Sequence, residues 1–63
     1  MTSYRLYFLN SAFAIAGAAT VVDAETEAAA LQGADSIFRD KNARFAGFEL
    51  WARGRRVRRY VKA

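Results

Sequence analysis

The chain has 63 residues, 54% of them hydrophobic and 14% aromatic, with no proline, cysteine or histidine. That length allows one domain, which buries only about 60% of the surface its unfolded chain exposes, so stability is marginal and help from a second chain is expected. Without cysteine or histidine, disulfide staples, thiolate zinc sites and imidazole acid–base chemistry are excluded, and the net charge of +4 is uneven: residues 1–50 carry four basic and six acidic side chains, residues 51–63 six basic and none acidic.

The N-terminal stretch admits two readings. Arg5 followed by the apolar run Leu6 to Val22 superficially resembles a signal peptide, with Ala14-Ile15-Ala16 as a cleavage site. The polar pair Asn10-Ser11 interrupts that run early, and its length is at the lower limit for a membrane span of about 20 residues, so a membrane location is not expected. Read as structure, Tyr4 to Leu9 is a strand in which Tyr4, Leu6 and Phe8 point one way and Arg5, Tyr7 and Leu9 the other. Asn10 to Phe13 supplies an Asx-type turn that leaves Phe13 exposed. Ala14 to Val22 reads as a second strand in which Gly17 marks a bulge or a close backbone approach.

Asp23 to Asn42 carries the one strong helical pattern. Ala24, Ala28, Leu31, Ala34 and Phe38, flanked by Ala30 and Ile37, form an apolar arc wide enough to cover a sheet. Asp23 is the expected N-cap, Glu25 and Glu27 favour the positive end of the dipole, Arg39 and Lys41 the other end, and Asn42 suits a left-handed C-cap. Asp35 is spaced to pair with Arg39. Gly33 is expected on the outer surface, forming with Ala29 a small pair that another backbone could approach.

Arg44 to Ala52 and Arg55 to Val61 are a third and fourth strand joined by a two-residue turn at Arg53-Gly54. That turn sets Leu50 opposite Val57, Glu49 opposite Arg58 in a salt bridge, Trp51 opposite Arg56 in a cation–π contact, and Gly47 opposite Tyr60. The fold class is α+β, with element order β-β-α-β-β: a four-stranded antiparallel sheet of order 2-1-3-4 with the helix on one face. The other face is expected to carry Arg5, Tyr7, Leu9, Trp51, Arg56, Arg58 and Tyr60, a surface too apolar to be a routine solvated one.

The opening Tyr4-Arg5-Leu6-Tyr7-Phe8-Leu9, the acid-rich stretch Asp23 to Ala29, and Glu49-Leu50-Trp51 followed by Arg55-Arg56-Val57 resemble a group of very short uncharacterised bacterial proteins. The resemblance covers nearly the whole chain, through motifs that are structural and not catalytic. It implies a bacterial, cytoplasmic domain of unknown function. The first turn departs from the pattern, since Asn10 to Ala14 lacks the aspartate and glycine expected there.

No motif designates a reaction. The hydroxyls Ser3, Ser11, Ser36, Thr20 and Thr26 have no histidine base, no glycine-rich phosphate loop is present, and the acids are dispersed, so neither an enzyme nor a cofactor, metal or small-molecule substrate is expected. The leading expectation is a small interaction module that self-associates, or binds another protein, through the aromatic and arginine face. The alternative is nucleic-acid binding through the basic hairpin, where arginines beside aromatic rings suit phosphate contact and base stacking. Arg5, Tyr7, Trp51, Arg53, Arg55, Arg56, Arg58 and Tyr60 are the candidate contacts. The same basic run also serves to keep an edge strand from aggregating.

Overall fold

The computed structural model describes residues 1–41 and 44–62, Lys41 by its backbone alone. The elements are β1 (Thr2–Leu9), β2 (Ile15–Ala24), α1 (Glu27–Lys41), β3 (Gly47–Ala52) and β4 (Arg55–Val61). They form one antiparallel sheet of order β2-β1-β3-β4 with α1 on one face, as the sequence pattern predicts.

The core lies between sheet and helix. Tyr4, Leu6 and Phe8 of β1, Val22 and Ala24 of β2, and Phe48 and Leu50 of β3 meet Ala30, Ala34 and Phe38 of α1. Leu6 and Leu50 are fully buried, each contributing about 1.5–3 kcal/mol relative to exposure. An aromatic stack closes one end: Phe8 lies against Phe45 at 4.8 Å, and Phe38 contacts Phe48 at 5.4 Å and Tyr60 at 5.6 Å between ring centroids.

The helix begins later than its apolar pattern suggests. Asp23 is not its cap, because β2 remains paired with β1 as far as Ala24 opposite Thr2, and the Asp23 carboxylate accepts a hydrogen bond of 2.7 Å from Ser3 Oγ. Thr26 caps instead, its Oγ1 accepting from the Ala29 amide at 3.1 Å. Ala24 is therefore buried as a strand residue, Glu25 lies outside the helix, and Ala28 is exposed in the first turn. The Asp35–Arg39 pair forms as expected, at 3.0 Å. Gly33 does not face outward: a Cβ placed on it would stand 3.3 Å from Val22 Cγ1, so this glycine packs over β2. The C-cap expected at Asn42 and the Lys41 side chain lie outside the described residues.

Both connections between paired strands carry their expected signatures. Asn10 Oδ1 accepts from the amides of Ala12 and Ala14 at 2.9 and 3.1 Å, which is the Asx turn, and Phe13 adopts φ 62° with its side chain exposed. Gly17, at φ 80°, lies where the β1–β2 register shifts, between the Leu6–Thr20 and Phe8–Ala16 pairs. At the second hairpin Arg53 (φ 52°) and Gly54 (φ 76°) both have positive φ, the requirement of a type I′ turn. β3 starts at Gly47, not at Arg44, because the segment before it bonds irregularly, with the Ala46 amide donating to the Leu9 carbonyl.

Beyond the turn the expected register fails by one residue. Trp51 faces Arg56 as predicted, but a shift then sets Leu50 opposite Arg58, Glu49 opposite Arg59, Phe48 opposite Tyr60 and Gly47 opposite Val61. The cause is a bulge in β4 at Val57, which packs against the core with no partner of its own in the ladder. One added residue moves every later side chain to the other face. Tyr60 and Arg58 therefore lie on the helix side, and Gly47 is not covered by the Tyr60 ring. Instead the Tyr60 carbonyl passes so close to Gly47 that a Cβ there would collide with it.

Candidate outer-face site

The face of the sheet away from the helix can be read from the register. Taken across the strands β2, β1, β3 and β4, one row is Val21, Arg5, Trp51 and Arg56. The next holds Tyr7, Glu49 and Arg59, and the last Ile15, Leu9, Gly47 and Val61. Toward the hairpin turn, Asp23 and Ser3 form a further row beside Arg53.

At its centre is a buried carboxylate. Glu49 is only 6% exposed, and its Oε1 accepts a 3.0 Å hydrogen bond from Trp51 Nε1 while Oε2 meets Arg56 Nη1 at 3.5 Å and Arg59 Nη1 at 3.7 Å. Tyr7 stands edge-on to Trp51 at 6.5 Å, which fixes the indole from the β1 side. Two arginines and a tryptophan thus satisfy one acid, and no buried side-chain polar atom among the described residues lacks a partner. The cation–π contact expected between Trp51 and Arg56, which do face each other, is replaced by this shared bonding to Glu49. The expected Glu49–Arg58 bridge gives way to those with Arg56 and Arg59, the bulge having set Arg59 in place of Arg58 opposite Glu49.

Leu9 belongs to the outer face by parity yet is fully buried, at the end of the sheet where the first turn returns. There Arg59 Nη2 donates to the Phe13 carbonyl at 3.5 Å, tying that turn to β4.

The structure therefore brings together Arg5, Tyr7, Trp51 and Arg56 of the candidate residues, with Arg53 at the rim. Arg55 opposes Ala52 and lines a hollow with Thr2 and Tyr4 toward the helix side, where Arg58 and Tyr60 also lie. Sequence reasoning missed Arg59, Ile15, Val21 and Val61 as members of the outer face. The parity of Val21 follows from pairing with Arg5 and was readable in principle, whereas Arg59 and Val61 reach this face only through the bulge. Ser3, Arg5, Tyr7, Trp51, Arg53 and Gly54 line a shallow hollow of about 370 Å³. Among the described residues no acid lies in ion-pair range of Arg5 or Arg53.

No group of three or more acidic side chains among the described residues converges as a metal site, and no helix there is long and apolar enough to cross a membrane. No family model, curated protein or solved structure matches this chain.

Proposed function

We propose that the chain is a small non-enzymatic interaction module that pairs with a second copy of itself through the outer sheet face. The observation that supports this is the grouping of exposed aliphatic side chains there. Val21 is 61%, Ile15 46% and Val61 40% exposed, and all three share the face that holds Tyr7 and Trp51. An arginine-bearing aromatic surface rimmed by aliphatics has the composition of a protein interface. The Glu49 carboxylate offsets part of the charge of Arg56 and Arg59, so these two guanidinium groups keep a counter-charge beside them when the face loses water. Urea melts at several protein concentrations test the reading: coupling of folding to pairing raises the midpoint with concentration, and a concentration-independent midpoint opposes it.

A second reading draws on the hollow at Arg5 and Arg53. Tyr7 and Trp51 lie on the two central strands, and two guanidinium groups without acidic partners stand beside them, an arrangement suited to a single-stranded nucleic acid with bases on the rings and phosphates on the arginines. The split of Arg55 and Arg58 to the helix side weakens it relative to self-association.

A further inference from the structure

Building on the proposed self-association, we infer that the two copies pack face to face about a two-fold axis running along the strands between β1 and β3. Such an axis exchanges left and right across the sheet while keeping each row level with itself. It sets Ile15 of one copy against Val61 of the other, Arg5 against Trp51, and Asp23 near Arg53, each contact occurring twice. The first is an aliphatic pair, the second cation–π and the third a salt bridge.

The competing arrangement is a two-fold axis across the strands, which exchanges the two ends of each strand. It sets Asp23 against Ile15 and Arg56 against Arg59, burying a carboxylate on an aliphatic side chain and opposing two guanidinium groups. The distribution of charge thus selects between the two. Asp23 and Ile15 occupy opposite ends of β2, while Val61 occupies the Ile15 end of β4. With the axis along the strands the sheets meet in the aligned manner of a β-sandwich, at about 30° between strand directions, and the row correspondence survives. The edges contribute little to pairing: the bulge at Gly17 breaks the ladder in β2, and four arginines on β4 repel a second copy of that strand.

Because the chain has no cysteine, single-cysteine variants give an unambiguous test. Ile15→Cys and Val61→Cys alter exposed positions. Mixed in equal amounts and treated with a thiol–thiol cross-linker shorter than the width of three strand spacings, about 14 Å, they should yield a covalent dimer. Neither variant should do so alone, since equivalent residues lie on opposite sides of the axis. Sedimentation of the same samples reports whether dimers are present. Dimers without mixed cross-linking overturn the axis and leave self-association standing, and cross-linking of Asp23→Cys with Ile15→Cys would establish the competing axis. Monomers throughout overturn both statements. A charge exchange adds an independent measurement: Asp23→Arg and Arg53→Asp should each weaken the dimer about tenfold, and the double variant should restore most of the loss. Absence of restoration in a protein that still dimerises overturns the Asp23–Arg53 contact and the axis with it.

Discussion

Trp51 Nε1 donates a hydrogen bond to Glu49 Oε1 two residues earlier on the same face of β3, at 3.0 Å. The indole on Oε1 and the guanidinium groups of Arg56 and Arg59 on Oε2 therefore share one carboxylate that has almost no access to water. Glu49→Gln retains a carbonyl acceptor for the indole but loses both ion pairs and turns its amide NH2 toward the two guanidinium groups, which can swing out to water, for a cost of about 1–2 kcal/mol. Glu49→Ala also strands the Trp51 N–H, and is expected to cost about 2–3 kcal/mol. Equal losses for the two variants in urea melts would show that the indole bond contributes nothing.

The helix cap yields a second prediction. Thr26→Ala removes the acceptor of the Ala29 amide and should destabilise the protein by about 1 kcal/mol. Asp23→Ala, at an exposed strand position, should stay within about 0.5 kcal/mol when measured at a concentration where the protein is monomeric. The opposite order would place the helix start where the apolar pattern alone puts it.

Gly33→Ala sets two effects against each other. Alanine gains up to about 1 kcal/mol of helix propensity, and its methyl must displace Val22 Cγ1, which would stand 3.3 Å away. The net change should be close to zero in the parent chain. In a Val22→Ala background the obstruction is gone, and the same substitution should stabilise by about 1 kcal/mol. A double-mutant cycle measures that difference directly, and additivity would remove the contact from the account.

Gly47 and Gly54 should respond unequally to alanine. Gly54 has open space around it and only its positive φ opposes a side chain, for about 1–2 kcal/mol. At Gly47 the Tyr60 carbonyl blocks a Cβ, and backbone cannot swing aside as a flexible side chain does. Thermal melts should show Gly47→Ala as much the more damaging, with loss of the β3–β4 pairing.

Much of this fold was legible because local chemistry and global packing agree. The alternation in β1, the Asn10 turn, the Arg53-Gly54 turn and the Asp35–Arg39 pair depend on residues close in sequence, and all appear as expected. Two features were not legible, for different reasons. Asp23 and Thr26 are both good capping residues, and only pairing of β2 with Thr2 and Ser3, distant in sequence, decides between them. The bulge at Val57 leaves no local signature of the kind a glycine leaves, yet it moved Tyr60 and Arg58 off the candidate face and brought Arg59 and Val61 onto it.

The nucleic-acid reading is separated from self-association by salt. With two unpaired guanidinium groups at the hollow, affinity for a single-stranded RNA or DNA should fall with salt at a log–log slope of about −1.5. Arg5→Glu with Arg53→Glu should abolish binding. No binding at low salt to single strands or duplex removes that reading.

The most direct test of the outer face as a self-association surface is sedimentation equilibrium of the parent chain beside Val21→Lys at micromolar concentration. Val21 is 61% exposed and lies in the row of Arg5, Trp51 and Arg56, so a lysine there leaves the core untouched and places a further cation in the interface. The parent should sediment as a dimer and Val21→Lys as a folded monomer. A monomeric parent, or a variant that dimerises as well as the parent, would contradict the account.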